Sequence, residues 1–235
     1  MELKLADKLT NYIENYASLA IFGHIFPCPY WANNLKDGRV FLRGYLNGKG
    51  DAQSIGKELQ RLLLKSADKK HLLSDPAAFG KFARRNRIGI DCSGFAYRVM
   101  EFLAAENYPD SKTENLHNLL PGGIGKTNAD SLTSFSVCRK IASCGRAKPG
   151  DLIRLKAGRH VAVITEVTDN EIIYYHSSRI SEIEGVHSGR ISVTDKQSGL
   201  DAQIWHEKAG DGSNFGKKYY RSVRGDGICR LKIFA

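Results

Sequence analysis

Helical periodicity through the first hundred residues and short β-branched runs beyond residue 150 predict an α+β domain with helices on an antiparallel sheet. A third observation gives this division a chemical side. A cysteine, Cys92, opens the strongest helical segment, and two histidines, His160 and His176, fall on the strands.

In the first segment Leu3, Leu5, Leu9, Ile13 and Tyr16 recur at helical spacing, so residues 2–20 read as an amphipathic helix. Gly23, Pro27 and Pro29 interrupt it and leave an irregular stretch around Cys28-Pro29-Tyr30-Trp31. Val40, Phe41 and Leu42 form a short apolar piece between glycines. Asp51 then opens a helix over 51–66 that carries Ile55, Leu59, Leu62 and Leu63. Asp75, with Pro76 in the first turn, opens a shorter one over 75–83. Residues 92–107 give a third, with Phe95, Val99, Phe102 and Leu103 on its buried face and Pro109 beyond its end. Asp91 stands before it as an N-cap, because a short carboxylate accepts the free amide hydrogens of a first turn.

After a Gly-rich loop at 121–126 the pattern changes to strands. Leu152–Lys156, Val161–Val167 and Glu171–Ser177 are separated by Gly158 and by Thr168-Asp169-Asn170, and Ile191–Thr194 and Ile228–Phe234 add two more. There is no internal repeat. Residues 1–87 therefore read as a helical N-terminal extension with an insertion, a candidate lid, and 88–235 as the core.

The composition suits a folded domain with a buried core: of 235 residues, 42% are hydrophobic and 26% charged. Lys and Arg outnumber Asp and Glu by 35 to 25, a net charge of +10 that favours anionic partners. The basic residues are scattered, with short clusters at Arg84-Arg85-Asn86-Arg87 and Lys217-Lys218, so no specific nucleic-acid site is expected. Five cysteines without a C-x-x-C pair argue against structural zinc. Cys138 and Cys144 are spaced to pair in an oxidising compartment, but buried free thiols are the expectation. The first ten residues mix charges with apolar residues and do not form a signal peptide, and no later run is long enough to span a bilayer. As written, the chain reads as cytoplasmic; its oligomeric state has no signature.

A thiol attacks a carbonyl as thiolate, so it needs help with its proton. Cys92 stands at a helix start, which also offers free amides to an oxyanion, and Gly94 removes bulk beside it. His160 opens a strand and His176 lies near the end of the next. A three-residue hairpin loop would pair residue 167 with 171 and put His176 opposite residue 162, on the same face as His160. A two-residue loop would put the rings on opposite faces; an odd loop or an equivalent bulge is required.

Asp91-Cys92-Ser93-Gly94-Phe95, Pro149-Gly150-Asp151-Leu152, His160-Val161-Ala162-Val163 and His176, in that order, resemble the NlpC-type bacterial cell-wall peptidases, compact relatives of papain. The resemblance covers roughly residues 88–195 and implies a papain-like fold with the nucleophile's helix on the sheet. It implies hydrolysis of peptidoglycan stem peptides or muropeptides, commonly between a D-glutamyl residue and a diamino acid, with no metal or cofactor. Cys92 would be the nucleophile, His160 the base and His176 the orienting third residue. Asp91 and Ser93 would hold the substrate's amino end, and Tyr30 would line the site as the tyrosine of a Pro-Tyr-x-Trp segment. In the family that segment lies shortly before the nucleophile; here about sixty residues intervene, and Ala32-Asn33 replace the usual glycines. A cysteine hydrolase or acyltransferase acting on another amide, and a non-enzymatic module binding an anionic polymer, are the alternatives. Gly123-Ile124-Gly125-Lys126-Thr127 is not a P-loop, since Leu120 stands where the motif needs glycine. Trp205-His206-Glu207 is given no chemistry, because neighbours on a strand point apart.

Overall fold

Seven strands form one antiparallel sheet against which the helices pack, in a computed structural model that describes residues 5–37, 39–107 and 114–235. Leu3 and Pro109, used above as helix markers, lie outside these residues. Helix α1 (Leu5–Ala17) leads into two small hairpins, β1 (Leu19–Ile21) with β2 (His24–Phe26) and β3 (Asn34–Lys36) with β4 (Arg39–Leu42). Helices α2 (Ala52–Leu63), α3 (Lys69–Ser74), α4 (Pro76–Arg85) and α5 (Cys92–Asn107) follow, then the short α6 (Glu114–Leu119), α7 (Gly123–Lys126) and α8 (Ala129–Leu132). The sheet is built from β5 (Cys138–Ile141), β6 (Leu152–Leu155), β7 (His160–Val167), β8 (Glu171–Ser178), β9 (Gly185–Ser192), β10 (Ile204–Trp205) and, after α9 (Phe215–Tyr219), β11 (Gly227–Leu231). Their spatial order is β10-β9-β8-β7-β6-β11-β5. The protein is α+β, and none of the described helices is long and apolar enough to cross a membrane.

Local chemistry sets the helix starts. Asp51 accepts the Ser54 amide at 2.7 Å, and Asp75 accepts those of Ala77 and Ala78 at 2.8 and 3.2 Å. Alternation then sorts the sheet. Val161 and Val163 turn towards α5, whereas Ala162 and Ile164 turn to the other side, where they join Tyr174, Trp205 and Phe215. Besides α1–α4, the N-terminal part contains the two hairpins, and its apolar side chains enter one core with α5. Tyr12 stacks on Phe102 with ring centres 4.4 Å apart, and Tyr16 meets Phe95 edge-on at 5.5 Å.

The β7–β8 hairpin differs from the expected loop. Val167 pairs with Ile172 rather than with Glu171, across a four-residue connection that alone would put the two rings on opposite faces. A bulge at Thr165 supplies the missing residue. Beyond it Val163 pairs with Tyr175, so His176 falls across from Ala162 on the face of His160. Strand β9 starts at Gly185, six residues ahead of the expected Ile191. Its first half, with His187-Ser188-Gly189-Arg190, shows no apolar alternation, and Gly189 is required because a Cβ there would lie 2.2 Å from the Tyr174 ring. All five cysteines are free and buried.

The segment around Tyr30 runs beside Ile90 as a parallel bridge: the Ile90 amide donates to Pro29 O at 2.9 Å and the Trp31 amide to Ile90 O at 3.4 Å. Gly89 permits this approach, since a Cβ on it would stand 2.3 Å from Pro29 O. Gly89→Ala should therefore lower stability by about 2 kcal/mol, as overpacking against fixed backbone does. Urea unfolding measures it; an unchanged midpoint would show that the two segments are not held together.

Candidate active site

Helix α5 begins at Cys92 because Asp91 caps it. Asp91 Oδ1 accepts the Gly94 amide at 2.6 Å and the Ser93 hydroxyl at 2.8 Å, and Asp91 O accepts the Phe95 amide at 2.9 Å. A lysine completes the cap. Lys49 Nζ donates to Asp91 Oδ1 at 2.8 Å, Ser93 Oγ at 2.6 Å and Thr127 O at 3.1 Å. Gly94 makes room for this lysine: a Cβ there would lie 2.7 Å from Lys49 Cδ and 2.8 Å from Gly48 O. That space beside Cys92 is filled by the protein itself.

The paired register of β7 and β8 ends at Val163 and Tyr175. At this end of the strands the start of α5 comes in: Ser177 Oγ donates to Ile90 O at 2.6 Å, and the Cys92 sulfur meets the amide hydrogens of Val161 and Ser93. Cys92 is 7% exposed and His160 5%. Burial first, then the Asp91 carboxylate, push the thiol up to about 12, against the opposing pull of Val161, Lys49 and Ser93. The resting group is a thiol. Its sulfur makes no hydrogen bond to either ring among the described residues.

The histidines form a chain across three adjacent strands. His160 Nε2 lies 2.7 Å from His176 Nδ1, and His176, paired directly with His187 of β9, places its Nε2 3.0 Å from His187 Nε2 and 3.1 Å from Glu207 Oε1. Tyr174 and Ser181 donate their hydroxyls to the same carboxylate. Burial, then the neighbouring His176, hold His160 well below the ordinary imidazole range; burial lowers His176 too, opposed by Glu207. Burial alone would raise the Glu207 carboxyl, but the neighbouring His176 and His187 hold it far below the usual range. His160 and His176 are neutral and Glu207 is a carboxylate; the Phe215 ring centre lies 5.3 Å from that of His176.

Tyr30 reaches this site. Its phenol is raised by burial first and next by Cys92 and Asp91, as its bridge to Ile90 requires. Nearby, Lys156 is lowered by burial and by the exposed Arg159 and Arg179, and raised by Cys92.

Cys92, Asp91, Ser93 and Tyr30 thus meet at one strand end, and His160 and His176 meet each other there. The sequence reading missed Lys49, His187 and Glu207. It dismissed Glu207 because neighbours on a strand point apart. Both lie just past the end of β10, where the same alternation holds: His206 turns out to Ser192 Oγ at 2.7 Å and Glu207 turns inward to His176. His187 was hidden with the first half of β9. The donor atoms of His176, His187 and Glu207 all lie within 4.8 Å of one another, so these three residues are able to hold a metal ion.

No family model matches the chain, and no curated protein or solved structure matches it.

A thiol held near 12 forms thiolate in proportion to hydroxide over the working range. Iodoacetamide labelling of Cys92 in the free protein should therefore rise about tenfold per pH unit from about pH 7 to about pH 10. Mass spectrometry of the Cys92 peptide reads it; a plateau below pH 8 would reveal a preformed thiolate instead.

Proposed function

We propose that the protein is a papain-like cysteine hydrolase that cleaves amide bonds in peptidoglycan stem peptides. The observation that carries this reading is the unbroken chain from His160 through His176 to Glu207, ending at the strand tip where Cys92 opens α5. A neutral imidazole with its Nε2–H given to His176 presents a lone pair at Nδ1, the form a general base must take. His176, kept as acceptor at Nδ1 and donor at Nε2, passes the polarisation to the carboxylate of Glu207 and orients the base.

In this reading Cys92 gives its proton to His160 as the sulfur attacks the substrate carbonyl, so the proton leaves during attack rather than beforehand. The oxyanion accepts the backbone amide of Cys92 at the start of α5. The carbon–nitrogen bond breaks, the amine leaves with the proton from His160, and a thioester remains on Cys92. Water, deprotonated by His160, then attacks the thioester; the acid departs and the sulfur recovers a proton. Lys156, Arg159 and Arg179 suit a substrate rich in carboxylates.

A second reading, an amide other than that of a stem peptide with a free amino end, is favoured by one observation. The Lys49 ammonium sits on Asp91 and Ser93, the pair that the family resemblance assigns to the substrate's amine.

Purified peptidoglycan digested with the protein should yield new amino ends identifiable by mass spectrometry, and Cys92→Ala should reduce turnover more than about a thousandfold while the fold is kept. Turnover retained by that variant would remove the proposal. Lys49→Met should raise kcat/KM for free-amine muropeptides relative to their N-acetylated forms by about tenfold. An unchanged ratio would show that Asp91 and Ser93 do not receive an amine.

A further inference from the structure

Three atoms at the inner end of the histidine chain pose a bonding problem. His176 Nε2, His187 Nε2 and Glu207 Oε1 form a triangle with edges of 3.0, 3.1 and 3.3 Å. The other nitrogen of His187 faces a carbonyl, Gly185 O at 3.0 Å, which only accepts, so Nδ1 carries that ring's proton and Nε2 carries a lone pair. Glu207 Oε1 offers lone pairs as well, and already accepts from Ser181. A single proton on His176 Nε2 serves two edges and leaves His187 Nε2 and Glu207 Oε1 facing each other lone pair to lone pair. A second proton, on His187 Nε2, would set N–H against N–H across the 3.0 Å edge. Protons alone therefore leave two lone pairs, or two N–H groups, facing each other across one edge of this buried triangle.

We infer that His176, His187 and Glu207 bind a divalent transition cation of the zinc type, and that loading it disables His160 as a base. One cation satisfies all three edges. Tetrahedral zinc, with bonds of about 2.0–2.2 Å to nitrogen and oxygen, spaces its donors about 3.3 Å apart, within a few tenths of an ångström of the edges found. Two imidazoles and a carboxylate favour such an ion over calcium or magnesium, which take oxygen ligands. The supporting bonds are in place: Gly185 O fixes the His187 ring, and Tyr174 and Ser181 hold the carboxylate. Three protein donors leave the fourth position for water.

The effect on the base follows from proton placement. With Nε2 on the metal, neutral His176 keeps its proton at Nδ1, which faces His160 Nε2 at 2.7 Å. His176 must then donate and His160 Nε2 accept, so the His160 proton moves to Nδ1, the atom assigned to receive the proton of Cys92. The loaded protein has its base already occupied. This consequence rests on the hydrolase reading; the metal site itself does not.

The test uses the full chain stripped with a chelator. One equivalent of Co²⁺ should produce the visible ligand-field absorption of a tetrahedral site, Zn²⁺ should displace it, and His187→Ala should lose it. Long-range proton–nitrogen NMR of the wild-type protein should find His160 protonated at Nε2 when stripped and at Nδ1 when loaded with zinc, a result that needs no variant to fold. Zinc should slow muropeptide turnover more than tenfold. Absence of the absorption, its survival in His187→Ala, or an unmoved His160 proton would overturn the inference. Absent turnover in the stripped protein would strike the proposed hydrolase alone, because the cobalt and NMR signals are read on the protein without substrate.

Discussion

One short hydrogen bond, His160 Nε2 to His176 Nδ1, governs where the protons lie along the whole histidine chain. Both rings are buried and neutral, so one must donate and the other accept, and the choice propagates in both directions. Outward, it decides whether His160 Nδ1 is a lone pair or an N–H. Inward, it decides what His176 offers to His187 and Glu207. The geometry behind this bond is a matter of sheet register: without the bulge at Thr165 the rings would lie on opposite faces of the same hairpin.

The position of Cys92 has a different origin. Asp91 fixes the first turn of α5, Lys49 neutralises Asp91, and Gly94 leaves the lysine its path. Lys49 and Asp91 are both largely enclosed, with side chains 11% and 14% exposed, so removing either would leave the other without its partner. The thiol, next to that carboxylate and sealed against the strands, is held in its protonated form. Two neutral imidazoles and a protonated thiol therefore stand at one strand end.

Much of this was legible wherever the governing chemistry is local. Asp91 followed by an apolar helical face gave both ends of α5, and Asp51 and Asp75 with Pro76 gave the starts of α2 and α4, because capping is decided within one turn. Alternation put His160 and His176 on strands, and face parity alone required an odd loop or a bulge between them. Long-range contacts were harder to read. Lys49 lies 42 residues from its carboxylate with no motif to announce it. His187 sits in a polar half-strand whose register depends on its neighbour rather than on its own pattern. Glu207 was legible in principle, since the alternation that sends His206 outward sends the next residue inward.

The bridge between Tyr30 and Ile90 gives the chain a closed excursion: residues 31–89 leave the nucleophile's doorstep and return to it. Closing a loop of that length carries an entropic cost that grows with the logarithm of its size, and the excursion offsets it by burying Ile55, Leu59 and Phe79 in the common core. Assembly of the surroundings of Cys92 is thereby tied to a non-local step. A nascent or partly unfolded chain, with the excursion still open, would carry Cys92 without Tyr30 or Lys49 beside it, so its environment is complete only when residues 31–89 have folded back.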